Sequence, residues 1–296
     1  MMNIDLHLHT TFSDGILTPE QLLDECAKRN IKKAGICDHW GTRKYSSRFQ
    51  VTDIASYVKA LSALRARYKE PEVHIGLEVD FSNAYGAAPE EYDFDALNQA
   101  EYLLFEHVET KEVEGNPVDG RSLEELVRIR SRFGIPVGLA HNNFQRNFPD
   151  TGEAIKKMKE NDIFLELCEA EDKGKKAVDG ILLQQMMEIR RNFSSAFEVA
   201  EMVERLKKEK AEGMVRKKHA EGHQYFFELF EERTWELIRK HGLKLSVSSD
   251  SHKGTEIGKS EKVERYLNQY GLAAQLIFPQ GIDSAEDRAA AGLLSL

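Results

Sequence analysis

His7 and His9 are separated by one residue, and so are Asp250 and His252. In extended backbone a spacing of two places both side chains of such a pair on one face of the strand. Five further residues of ligand type accompany them: Asp14 in a Ser13-Asp14-Gly15 turn, His39 after Asp38, Glu78, His107 and His141. Imidazole nitrogen and carboxylate oxygen without thiolate suit zinc, manganese or iron used in catalysis, not a closed structural site built from cysteine. Six histidines, two aspartates and one glutamate exceed the needs of one tetrahedral ion. They would serve two or three divalent ions if a carboxylate bridges. Ions about 3.5–4 Å apart can bind both oxygens of a phosphoryl displacement and turn a bound water into hydroxide near neutral pH. The chemistry expected is hydrolysis by a metal-bound hydroxide held by the ligand cluster, with no protein nucleophile. The sequence carries no GxSxG elbow.

The elements that must position these residues are short apolar runs near 3–8, 32–38, 73–79, 101–106, 136–140, 163–168 and 244–249. Amphipathic runs separate them near 19–30, 52–69, 122–133 and 152–161, with a longer helical block from about 178 to 241. Seven strands alternating with helices predict a parallel sheet or barrel. Thr18, Pro19 and Gln21 form a readable helix start. Six of the seven strands deliver a candidate ligand at or just past the carboxyl end, and in a parallel barrel those ends share one face. A lone strand-terminal histidine is commonly structural, but two spaced pairs with four further strand-end ligands are poorly explained that way. Buried ionisable groups converging without a counter-ion would also be costly.

The chain has 296 residues, 41% of them hydrophobic, and a formal net charge of −9. This length suits a single α/β domain over residues 1–296, with a helical elaboration at about 175–242. Within the elaboration, Glu201–Glu221 is densely charged with mixed sign and reads as a solvated face, a lid being the alternative. The tail from Ala273 reads as accessory, with Ser284 and Asp287 able to cap a short helix. Dispersed charge offers no basic face for nucleic acid, and no apolar run is long enough to span a membrane. Cys26, Cys37 and Cys168 are too scattered for a disulfide framework. With no secretory signal, a reducing, cytoplasmic setting is expected.

The segment DLHLHTTFSDGILTPEQLLDECAKRNIKKAGICDHW resembles the opening of the PHP (polymerase and histidinol phosphatase) domain. IGLEVDF, LFEHVE, LAHNNF and SVSSDSH follow in that family's motif order, so the resemblance spans roughly residues 3–255. It implies a distorted (β/α)7 barrel, TIM-like in design, and a trinuclear metal centre. Carried over by position, His7 and His9 would share one ion with Glu78 and Asp250. Glu78 would bridge to a second ion on His107 and His141, while Asp14, His39 and His252 would hold the third. Two positions depart from the pattern. Asn142 and Asn143 follow His141, where proline is frequent, and Phe105-Glu106 precede His107, where a small or hydroxylated residue is usual at minus two.

The function implied is hydrolysis of a small phosphomonoester, histidinol-phosphate-like or a nucleotide. The alternatives are a phosphodiesterase or exonuclease on nucleic-acid ends and a non-enzymatic metal-binding regulatory module. Arg43 and Lys44 after His39, and Arg146 after His141, could meet phosphate oxygens, with Lys173 and Lys253 as weaker candidates. Asp80 and Glu166 could orient ligand histidines. Cys168 reads as an apolar-pocket residue, not a nucleophile.

Overall fold

The computed structural model describes residues 2–43, 49–113, 116–169 and 225–277. Its strands are β1 (Ile4–Leu8), β2 (Lys33–Trp40), β3 (Glu72–Asp80), β4 (Tyr102–Glu106), β5 (Glu112–Val113), β6 (Asn116–Pro117), β7 (Val137–Leu139), β8 (Ile163–Cys168) and β9 (Leu245–Ser248). Seven of them form one parallel sheet in the order β1-β2-β3-β4-β7-β8-β9. The sheet curls back on itself. The His9 amide donates to the Ser251 carbonyl at 2.9 Å, and Leu8 and Ser251 form a parallel bridge. The result is the distorted (β/α)7 barrel expected. The hairpin β5–β6, inserted after β4, was not anticipated, because two-residue strands carry no periodic signal.

Parallel neighbours require crossovers, which helices supply. These are α1 (Pro19–Lys28), α2 (Ile54–Arg65), α3 (Phe94–Leu97), α4 (Leu123–Arg130), α5 (Phe144–Asn147), α6 (Thr151–Glu160) and α7 (Glu232–His241), with α8 (Glu261–Tyr270) after the last strand. The expected start of α1 is present: Thr18 Oγ1 accepts from the Gln21 amide, and Gln21 Oε1 accepts from the Thr18 amide. Asp53 and Asp150 cap α2 and α6 by accepting from the Ser56 and Glu153 amides. Helix α7 falls at the end of the stretch the sequence leads one to expect as a long helical block. The rest of that block through Gln224, including Glu201–Glu221, lies outside the described residues, as do Lys44, Lys173 and the tail caps Ser284 and Asp287.

Tyr102, Leu104, Cys37, Ala140, Phe164 and Ile277 pack together as a core cluster in the barrel. The two rings fit because the strands beside them present glycine. A Cβ on Gly76 would lie 2.3 Å from the Tyr102 ring, and one on Gly138 would lie 2.2 Å from the Phe164 ring. Gly138→Ala should therefore lower stability by about 1–3 kcal/mol through overpacking. An unchanged urea midpoint would disprove it.

Glu101, just ahead of β4, ties neighbouring strands together. It pairs with Arg65, accepts from the Ile75 amide at 3.1 Å and faces His74 at 3.4 Å. Burial opposes its charge, but the hydrogen bonds from His74, Arg65 and Ile75 outweigh it and hold the carboxyl down to about 2. A carboxyl depressed on folding stabilises above its unfolded value, and that contribution fades as pH falls toward the folded one. The stability difference between wild type and Glu101→Gln should thus shrink from pH 5 to pH 2, by about 1 kcal/mol after solvent screening of this half-buried group. Parallel pH curves for the two proteins would refute this.

Candidate metal centre

The carboxyl ends of the barrel strands bring the predicted residues together in four overlapping groups whose ligand atoms lie within 4.8 Å of one another. His9, Asp14, His39 and His252 form one group, and His7, His9 and Glu78 a second. Glu78, Glu106 and His141 form a third, and Asp80, Glu106 and His107 a fourth. Asp250 adjoins the second group, with Oδ1 3.0 Å from His9 Nε2 and 3.8 Å from His7 Nε2.

Glu78 is the shared member. Its Oε2 lies 3.3 Å from His7 Nε2, 3.4 Å from His9 Nε2 and 2.9 Å from His39 Nδ1, while Oε1 lies 2.8 Å from His141 Nε2. Asp14 plays the same part at the other end, with Oδ1 3.2 Å from His252 Nε2, 3.7 Å from His39 Nε2 and 3.8 Å from His9 Nδ1. Burial alone would discharge all these groups, but the pairs reverse it. The imidazoles hold the carboxyls of Asp14, Glu78 and Asp250 below their ordinary range. In turn Glu78 and Asp14 bring His39 up to about 10, and Glu78 brings His141 up to about 9.

The backbone contributes to the aim of these side chains. His107, His141 and Asp250 adopt φ of 67°, 24° and 50°, a region L-residues rarely occupy. Strain of this kind persists where the surroundings over-determine it and clusters at functional sites. Supporting carboxylates surround the centre. Glu166, suggested by the sequence as an orienting partner, meets His7 Nδ1 at 2.9 Å and accepts from the His141 amide at 2.6 Å. Asp80 accepts from the Thr42 and Ser82 hydroxyls at 2.8 and 2.7 Å and groups with Glu106 and His107.

Two supports escaped the sequence reading. Asp38 accepts from the Thr10 amide, the Thr10 hydroxyl and the Ser13 hydroxyl, fixing the loop that carries Asp14. Asp5 ties β1 to the segment beyond β9 through the Ser249 and Gly258 amides and the Ser249 hydroxyl. Its position two residues before His7 was the available signal.

The donor set fits divalent cations. Asp14 Oδ1, Glu78 Oε2 and Asp250 Oδ1 are buried and make no hydrogen bond, although imidazole nitrogens crowd each of them. His7 Nε2 and His9 Nε2 converge to 3.0 Å. Buried acceptors are ordinarily satisfied, and a shared cation satisfies several lone pairs at once.

The substrate candidates diverge. The Arg43 guanidinium is largely exposed and pairs with Glu91 at 3.0 Å. Arg146 lines a cavity of about 280 Å³ with Glu109, Lys111 and Asn147. Lys253 pairs with Glu256 at 2.8 Å. Cys168 is buried, and burial pushes its thiol well above the ordinary range.

A parallel barrel whose carboxyl-terminal rim gathers imidazoles around shared carboxylate oxygens has the design of a metal-dependent hydrolase. The sequence matches the PHP domain profile over residues 5–277, and the chain belongs to that family of metal-dependent phosphoesterases. The DNA polymerase/3'-5' exonuclease PolX of Bacillus subtilis (strain 168) is 25% identical over 123 residues, covering 36% of this chain and 20% of that protein. This chain therefore matches about a fifth of that relative's length. Among solved structures, the histidinol phosphate phosphatase (HISK) from Lactococcus lactis subsp. lactis Il1403, complexed with zinc, L-histidinol and phosphate, shares the fold. It has a TM-score of 0.51 at 14% identity, covering 90% of this chain and 93% of that one.

Proposed function

We propose that this chain is a phosphatase acting on a small phosphomonoester, histidinol-phosphate-like or a nucleotide, with three divalent cations of zinc, manganese or iron. The observation that carries this reading is the buried Glu78 carboxylate, faced by imidazoles from β1, β2 and the loop after β7. His7, His9, Glu78 and Asp250 would hold one cation, and Asp14, His39 and His252 another. Glu78 and His141 would share the third with a residue at the end of β4, which the family pattern makes His107. Bound cations supply charge neutralisation at the phosphoryl oxygens and an activated water.

The chain's own residues do the rest. Glu166 fixes the His7 ring and the His141 backbone, and Asp38 fixes the Asp14 loop. Arg146, with Lys111 in the cavity beside the His107 and His141 loops, offers positive charge to a phosphate. Arg43 is the second candidate and would have to leave Glu91 to take that role. We read residues 1–296 as one domain with 175–242 as its elaboration, working in the cytoplasm, where the three cysteines stay reduced. Among the described residues no helix is long and apolar enough to cross a membrane.

A second reading, hydrolysis of phosphodiesters at nucleic-acid ends, draws on the PolX similarity. The net charge of −9 opposes it. Turnover of p-nitrophenyl phosphate and of bis(p-nitrophenyl) phosphate separates the two readings. We expect the monoester to be favoured, its hydrolysis lost on chelation and in His9→Ala, and its KM raised roughly tenfold or more in Arg146→Ala. If the metal-loaded protein turns over neither ester, the enzyme reading fails and a regulatory module remains.

A further inference from the structure

We infer that the β4 ligand of this metal centre is Glu106, and that His107 is the residue that positions it. The inference rests on the metal-centre reading above and changes one of its members. Side chains alternate along a strand, and on β4 the series Tyr102, Leu104, Glu106 is the one that faces the barrel interior. Tyr102 and Leu104 belong to the interior cluster with Cys37 and Phe164. Glu106, next in phase, brings a carboxylate oxygen within 4.8 Å of ligand atoms of Glu78 and His141. The same register pairs Asp80 with Glu106 across the strands, beyond Glu78 and Leu104.

His107 falls outside that series. It follows the last strand residue, and its backbone turns into the left-handed region at φ 67°. Its ring groups with Asp80 and Glu106 but not with Glu78 and His141. Its Nε2 lies 2.8 Å from Glu106 Oε2, the distance of a charge-assisted hydrogen bond. The other oxygen, Oε1, stands 3.9 Å from His39 Nδ1, on the side of the cluster. Ligand histidines are commonly held by an outer carboxylate. Here the order is reversed: an outer histidine holds the carboxylate.

Two further features agree with this exchange. Glu106 is 4% exposed, and a carboxylate buried among other carboxylates is costly unless cations or imidazoles face it. Glu78 Oε2, in the same group of side chains, is buried and makes no hydrogen bond. Asp80, which accepts from the Thr42 hydroxyl and from the Ser82 amide and hydroxyl, groups with Glu106 and His107 but not with Glu78 and His141. A donor set of two carboxylates and one imidazole is harder than the imidazole-rich sets nearby, and suits manganese or iron over zinc.

Metal content of the full-length protein tests the assignment. Wild type, Glu106→Gln, His107→Ala and His9→Ala are dialysed against excess Mn²⁺, and bound metal is counted by elemental analysis. Melting curves in chelator show whether each variant still folds. We expect Glu106→Gln, which preserves volume, to bind one ion fewer than wild type. His107→Ala should reach the full count at saturation with affinity about 10–100-fold weaker. A loaded wild type matched by Glu106→Gln, or an ion missing from saturated His107→Ala, overturns the assignment while leaving the metal centre intact. A wild-type protein that takes up no ion overturns the centre and the assignment with it. Should Glu106→Gln fail to fold, Glu106→Asp, which keeps the charge but shortens the reach, is expected to weaken one ion selectively. Unchanged binding there overturns the assignment as well.

Discussion

Replacing Glu78 with alanine is expected to reduce turnover by roughly 10²–10³-fold, the range reached when a preorganised electrostatic group is removed from an active site. The reason is its multiplicity. One carboxylate faces the imidazoles of His7, His9, His39 and His141 at 2.8–3.4 Å, so its loss would strip charge from both of the cation positions proposed to share it. The same substitution should act on the ion-free protein. Removing one partner of a buried, mutually charged set leaves the others uncompensated, at about 3–5 kcal/mol. Two readings therefore move together: phosphatase turnover in saturating metal and the melting temperature in chelator. Turnover within tenfold of wild type would show that Glu78 is not shared between cations. An unshifted melting curve would show that the imidazoles do not depend on it.

Glu166→Ala should weaken metal binding by about 10–100-fold without touching any cation itself. Glu166 is buried and holds two of the proposed ligands at once, the His7 ring through Oε1 and the His141 backbone through Oε2. His141 adopts φ of 24°, so its amide bond to Glu166 also fixes a strained segment. Losing that acceptor should lower stability by about 1–3 kcal/mol. A positioning role has a signature that a direct ligand lacks: excess metal should restore most of the lost turnover. Glu166→Gln separates the parts further, since the amide oxygen can still accept one bond but the fork cannot serve both sites as an acceptor. If excess metal restores nothing, Glu166 acts on the substrate or the reaction itself.

Much of this centre could be read along the chain because strands have a fixed period. The two spaced pairs and the apolar runs before them located the rim, and the barrel delivered Asp14, His39, Glu78 and His141 to it. The period fails where the strand stops. Whether Glu106 or His107 faces the cluster depends on one backbone dihedral at the end of β4, which no local residue type announces. Arg43 is similar, because its partner Glu91 lies 48 residues away on a separate segment. Helix α8 has only Val263 and Leu267 buried on a polar sequence, too thin a stripe to declare itself beforehand. Asp5 and Asp38 were visible as acidic residues beside candidate ligands, but their hydrogen bonds run to segments 244 and 25–28 residues distant.

The barrel closes where β1 meets the segment after β9, through the Leu8–Ser251 bridge, with His9 and Asp250 3.0 Å apart beside it. In polymer terms that seam is the junction of a ring about 240 residues around. The entropy lost in closing a loop grows with the logarithm of its length, reaching on the order of 5 kcal/mol at this size. A cation held jointly by His9 and Asp250, as proposed above, would then be a reversible crosslink between the first and last strands. Its binding would then also favour the closed ring that the Leu8–Ser251 bridge already forms, coupling the loading of the centre to barrel closure.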